Sequence, residues 1–250
     1  TVSNIVTILT TDPIFRGAVR KNTFARTRIV HAAAVEAWGV IVTREDKANA
    51  KTQGGYIEFN DAHLSAIMRM LEGVYSMNVS SDKLAKALNL IAQNNHINPL
   101  TDYLDNRPEW DGVPRLENTL YDAFRIEKND YTAEVYKKTI VAAIARAYSP
   151  GIKFDNMLVL VGPQGVGKST FVQRLVPAGS RWFTSSIDVS KAGDKESAEK
   201  LLGIWIAEVA ELSNRKADQD KLKNHISSQS DRFRVPYESS ATTFLRSCIF

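Results

Sequence analysis

Asn156-Met157-Leu158-Val159-Leu160-Val161-Gly162-Pro163-Gln164-Gly165-Val166-Gly167-Lys168-Ser169-Thr170 is the stretch that decides the reading of this chain. Asn156 to Val161 reads as a short apolar strand, and the eight-residue frame from Gly162 to Ser169 is a full G-x-x-x-x-G-K-S match. The glycines let backbone N–H groups turn inward around a phosphate, and the helix expected from Thr170 to Leu175 offers its positive N-terminus. Lys168 supplies a point charge for β- and γ-phosphates, while the Ser169 hydroxyl suits Mg²⁺. Short motifs arise by chance, but here the required context is also present: an apolar strand directly before and a helix start directly after. Gly162, Pro163, Gln164, Gly165, Val166, Gly167, Lys168, Ser169 and Thr170 are therefore the expected nucleotide-binding residues.

A phosphate loop alone does not choose among kinases, GTPases, motor ATPases and helicases. The next acidic position narrows the choice. Gly203-Ile204-Trp205-Ile206-Ala207-Glu208 reads as a buried strand ending in a carboxylate, 40 positions after Lys168, with Glu211 three residues further on. A carboxylate at a strand tip beside the loop holds hydrated Mg²⁺ or orients the attacking water. This makes Lys168, Glu208 and Glu211 the catalytic candidates, with Ser169 and Glu208 as the Mg²⁺ ligands. No adjacent acidic pair is present, so the division of labour between Glu208 and Glu211 stays open. GTPase is disfavoured because no Asn-Lys-x-Asp segment lies between Thr170 and Phe250. A small-molecule kinase stays open, although its arginine-rich lid would have to be divided between residues 218–230 and the Arg232/Arg234 pair.

Further out, helices are expected at 194–202 and 214–227, with strands at 204–207 and 246–250. Strands alternating with helices predict an α/β, three-layer core with a mainly parallel sheet. Upstream the pattern turns helical. Leu64, Ile67, Met68, Leu71, Val74 and Tyr75 recur at helical spacing behind an Asn60 or Asp61 cap, and Leu84, Leu88 and Ile91 follow Ser81 or Asp82. Tyr56 to Phe59 alternates like a short strand. A helix over 133–148, with Val135, Ile140, Ile144 and Ala147 on its apolar side, stops at Ser149-Pro150-Gly151. The expected organisation is a mixed to mainly helical region over 1–150, available for DNA interaction or as a linker, and an ATPase core over 151–250.

The chain has 250 residues, 44% hydrophobic and 24% charged, which excludes collagen-like and disordered classes. Its net charge of +4 permits a polyanionic partner without demanding one. The single cysteine, Cys248, can build neither an internal disulfide nor a zinc site, so an intracellular protein with a buried thiol is expected. The apolar runs fall far short of the ~20 residues needed to span a bilayer, and no membrane association is expected. The chain opens at Thr1 without a Met and stops inside the apolar run Cys248-Ile249-Phe250, so a piece of a longer protein is expected.

Several segments together resemble one family. Phe154 to Phe171, Trp110-Asp111-Gly112-Val113-Pro114-Arg115-Leu116, Tyr148-Ser149-Pro150-Gly151, the Glu208/Glu211 strand end and Asp231-Arg232-Phe233-Arg234 resemble the virulence-associated E (VapE) family of phage and genomic-island ATPases. That family is similar to superfamily 3 helicases. The resemblance implies an AAA+-like core that binds ATP and Mg²⁺, a homo-oligomeric ring in the full-length protein, and work on single-stranded or forked DNA. It further implies replication of phage or mobile-element type in the cytoplasm of a bacterial host. It also implies a polar sensor just after the last strand, which places the end of this chain before that motif. A helicase-like motor is the leading expectation, and a non-helicase loader or initiator using ATP as an assembly switch is the alternative.

Two basic segments are candidates for DNA. Arg16, Arg20, Lys21, Arg26 and Arg28 lie in an acid-free stretch interleaved with Phe15 and Phe24, a combination suited to phosphates and stacked bases. A solvated face is the plainer reading. Lys221, Lys223, Arg232 and Arg234 form the second group, where the resembling helicases can carry a DNA-contacting hairpin; a subunit-interface role for Arg232 or Arg234 is equally open. Trp110 and Arg115 are assigned to domain packing.

Overall fold

The computed structural model describes residues 1–188, 194–210, 216–234 and 241–250. The chain divides into two compact units, Thr1–Asn106 and Arg107–Phe250.

The first unit runs α1 (Val2–Thr11), β1 (Val19–Asn22), β2 (Arg28–His31), α2 (Ala32–Ala37), α3 (Arg44–Thr52), β3 (Tyr56–Glu58), α4 (Asp61–Tyr75), α5 (Ser81–Asn94), β4 (His96–Ile97) and α6 (Pro99–Asp105). Local chemistry sets the helix starts. The Thr43 hydroxyl and the Asp46 carboxylate cap α3 reciprocally, Asn60 accepts from the Ala62 and His63 amides at the head of α4, and Asn98 with Pro99 opens α6. The apolar stripe of α4 faces inward at its centre, where Ile67 and Leu71 are buried with Leu84 and Leu88 of α5, Ile5 and Leu9 of α1, and Val19, Val30 and Ile57 of the sheet, whereas Val74 in its last turn is exposed.

This unit combines its helices with a small sheet. Four strands form a mixed sheet in the order β3-β2-β1-β4, with β1 antiparallel to β2 and parallel to β4. The basic stretch that carries Arg20, Lys21 and Arg28 builds the β1–β2 hairpin. Its turn is made by the Asn22 side chain, which accepts from the Phe24 and Ala25 amides, and by Arg26 in the left-handed region at φ 62°.

The second unit runs α7 (Thr119–Phe124), α8 (Asp130–Tyr148), α9 (Lys168–Gln173), β5 (Phe183–Thr184), α10 (Lys195–Glu199), β6 (Ile206–Ala207), α11 (Lys216–Ser227), β7 (Ser230–Phe233) and β8 (Thr242–Leu245). β5 and β6 pair in parallel, and a parallel bridge joins Ile206 to Ile249. The Leu158 amide then donates to the Phe250 carbonyl at 3.3 Å. Hydrogen bonding thus orders the segments as β5, β6, Ile249–Phe250 and Leu158. β7 and β8 form a separate antiparallel pair.

Three expectations change here. The run Asn156–Val161 forms no regular strand, and Val159 and Val161 are 50% and 93% exposed, so the continuous parallel sheet expected there is not present. The strand expected over 246–250 is instead β8 at 242–245 followed by the bridge at Ile249. On α8 the buried face carries Tyr136, Thr139, Ala143, Arg146 and Ala147, while Ile144 is exposed. The face turns this way because the Trp205 indole donates to the Ala143 carbonyl at 2.9 Å and Arg146 points inward.

Arg146 also explains why the composition change at 149–155 does not separate two bodies. Its side chain is buried and donates to the carbonyls of Ile152 at 3.0 Å, Phe154 at 3.3 Å and Cys248 at 2.7 Å. One guanidinium spanning α8, the turn after it and the last segment places the expected boundary inside the second unit, with the division falling at Asn106/Arg107. Among the described residues, no helix is long and apolar enough to cross a membrane.

Beneath the last segment lies a buried cluster. Cys248 is buried, and burial pushes its thiol up to about 11, so it is an unreactive packing group. Burial, reinforced by the neighbouring Arg246 charge, depresses His225 to about 4 from an ordinary 6.5. The folded unit therefore holds His225 neutral while the unfolded chain binds a proton, and stability contributed by the neutral ring falls as pH drops from 6.5 towards 4. Urea unfolding at pH 7.5 and pH 5 is expected to show wild type taking up roughly one more proton on unfolding at the lower pH than His225→Gln. Equal pH slopes for the two proteins would remove His225 from the account.

Candidate functional site

The loop after the apolar run turns on two glycines. Gly165 and Gly167 sit at φ +84° and +89°, which side chains rarely adopt, and a Cβ at either would meet nothing within 4 Å. The requirement is therefore conformational, not one of space. Gly167 is followed directly by α9, which starts at Lys168, two residues earlier than the sequence reading set it. Lys168 folds back over the loop, and its ammonium donates to the carbonyls of Gly162 at 2.8 Å and Pro163 at 2.7 Å.

β6 carries Glu208 to the same place. The Glu208 amide donates to the Thr184 carbonyl of β5 at 2.7 Å, fixing the residue just past the strand end. Gly162, Lys168, Ser169 and Glu208 line one cavity of about 370 Å³, together with Thr139 and the apolar run. A second cavity of about 510 Å³ lies on the other side of the run, where Pro163, Val166 and Lys168 share its wall with residues of α7 and α8. Gln164, Gly165, Gly167 and Thr170 are exposed and line neither cavity. Glu211 lies outside the described residues.

A model of the virulence-associated protein E-like domain matches residues 104–250, more than half of the chain. The protein belongs to the VapE-like family. No curated protein matches the chain. The VapE-like match begins at Leu104 and takes in the whole of the second unit, so both cavities and the loop lie inside the family domain.

The other candidates fall in several places on this VapE-like chain. Arg16, Arg20 and Lys21 belong to the first unit. Arg20 lies over the Tyr56 ring at 5.1 Å, and Lys21 stands directly opposite Arg28 across the hairpin, a like-charge pairing that disfavours the sheet. Phe15 and Phe24 are buried in the fold, so neither ring is available to stack on bases, and that part of the sequence reading is corrected. In the second unit Arg232 on β7 and Arg234 just after it are exposed, and Lys223 pairs with Asp220 at 3.7 Å.

Trp110 and Arg115 also differ from expectation. Trp110 is 74% exposed and donates to the Val113 carbonyl at 3.1 Å. The Arg115 guanidinium binds both Asp111 carboxylate oxygens, at 2.8 and 2.5 Å. The motif closes its own turn instead of packing.

Sequence reasoning missed two features. Arg146 was invisible because a helical arginine reads as solvated. The buried arrangement of Arg246 with Asp231 and His225 was equally hidden, because ion pairs between distant residues leave no periodic signal.

Proposed function

We propose that this protein binds and hydrolyses ATP with Mg²⁺ and acts on DNA as a helicase-like motor of phage or mobile-element replication, in the cytoplasm of a bacterial host. The observation that carries the reading is the convergence of Lys168, Ser169 and Glu208 on one cavity, reached from a glycine loop on one side and a parallel strand on the other. The sheet order supports it, since the segment ending at Phe250 lies between the loop-bearing run and β6.

Lys168 would exchange two loop carbonyls for phosphate oxygens, trading neutral acceptors for charged ones, which form stronger hydrogen bonds. Ser169 and Glu208 provide one hydroxyl and one carboxylate. That set fits Mg²⁺, which keeps several waters and takes one or two carboxylates plus substrate phosphates. When bound with the nucleotide the ion would spread the charge developing on the transferred phosphoryl group. Glu208 would hold the attacking water by accepting its proton-side hydrogen bond.

Glu208→Gln in the full-length protein is expected to leave ATP binding within about threefold and to lower turnover roughly 100-fold or more, the range for removing a positioned general base. Equal turnover would remove Glu208 from the chemistry. Unwinding of forked DNA that requires ATP supports the motor; ATP-dependent assembly without strand displacement identifies a loader instead. The antiparallel β7–β8 pair, with Arg232 exposed on it, is the element of this unit best shaped to meet a DNA backbone.

A further inference from the structure

Two cavities flank one apolar run, and their chemistry differs. The first presents Lys168, Ser169 and Glu208. The second is larger and is walled by Leu120 and Phe124 of α7, Ile126, Val135 of α8, and Pro163 and Val166 of the loop. Lys168 lines both, so a molecule whose phosphates reach that ammonium from the loop has the second cavity beside it. The wall is braced, because the Phe124 ring packs against Phe171 of α9 at 5.1 Å between centroids.

Resting on the nucleotide reading of the loop, we propose that the second cavity receives the nucleobase and holds it by apolar contact, with no side chain reading its edge. Its size is that of a small-molecule site, and its lining is largely aliphatic and aromatic. The polar side chains in the wall besides Lys168 are Tyr131 and Thr132. The Thr132 hydroxyl is already engaged with the Asn129 carbonyl at 3.1 Å and the Tyr121 hydroxyl at 3.1 Å, and Tyr131 is 77% exposed. Among the described residues, no amide or carboxylate side chain faces the cavity, so no side-chain donor and acceptor are paired there to tell a 6-amino from a 6-oxo purine. An apolar pocket rejects such analogues weakly, whereas a site built to hydrogen-bond the edge rejects them strongly. The family domain would then accept GTP nearly as well as ATP.

Binding of ATP, GTP and inorganic tripolyphosphate with Mg²⁺ is measured on wild type, Val135→Trp, which fills the cavity, and Ile126→Asp, which charges its partly exposed rim. ATP and GTP are expected to bind within about tenfold of each other, and each variant to weaken both by about tenfold or more, a loss typical for one base contact. Tripolyphosphate affinity is expected to stay unchanged, which also reports an intact loop; should Val135→Trp lose it, Ile126→Asp decides. Nucleotide and tripolyphosphate binding that are equally insensitive to the variants overturns the base placement alone, and a purine preference beyond about tenfold overturns the unread edge. A wild type that binds neither tripolyphosphate nor ATP overturns the reading of the loop and the base placement with it.

Discussion

Lys168→Ala is expected to weaken ATP binding roughly 100-fold while leaving the fold standing, because it deletes a charge-assisted partner of the phosphates. The expectation has a local basis. The Lys168 ammonium is held over the loop by the carbonyls of Gly162 and Pro163, so under the proposed nucleotide reading it already sits where a phosphate would arrive and little side-chain ordering would remain to be done. The two carbonyls it would abandon belong to exposed residues and can turn to water, so the unfolding midpoint should barely move. Calorimetric titration with ATP and Mg²⁺, alongside urea unfolding, separates the two effects. Undiminished affinity in the variant would show that phosphates bind elsewhere.

The largest stability effect is expected from Arg246→Leu, at about 3–5 kcal/mol, the range for removing one partner of a buried ion pair. The Arg246 side chain is 2% exposed and Asp231 13%. Its guanidinium spans both Asp231 oxygens, at 2.5 and 2.6 Å, and reaches the carbonyl and ring of His225. Leucine fills part of the volume but strands a buried carboxylate and the His225 carbonyl. Arg246→Leu combined with Asp231→Leu should recover a substantial part of the loss, since an apolar pair carries no unpaired charge. Urea midpoints for the two singles and the double form the cycle, and additive losses would show that the two groups are not coupled.

Much of the glycine loop and its flanking helix starts was legible in the sequence because their signals are local. The loop requires glycine at fixed offsets, and Gly165 and Gly167 take the backbone angles that only glycine accepts readily. Asn60 at the head of α4 and Ser149-Pro150-Gly151 after α8 are likewise written in adjacent residues. The position of Glu208 just past β6 was legible because a carboxylate ends an apolar run. What escaped depends on distant partners. β1 is Val-Arg-Lys-Asn, which has neither alternation nor β-branched density, and it becomes a strand because β2 and β4 are on either side of it. The face of α8 was misjudged for a related reason: an arginine outcompeted isoleucine for the interior once three carbonyls were there to receive it. The expected strand at Asn156–Val161 was read from hydrophobicity alone, and hydrophobicity does not by itself supply partners.

That run has a consequence for handling the protein. Met157-Leu158-Val159-Leu160-Val161 is uncharged, free of proline and glycine, and rich in side chains that favour extended stacking. Among the described residues, its recorded backbone bond to another segment is the one from Leu158 to Phe250, and much of its outer surface meets water. A segment of this kind is a template on which a second chain can lay down its own backbone. The same openness that would admit a ligand is expected to favour self-association at high concentration, which light scattering with and without added nucleotide would read.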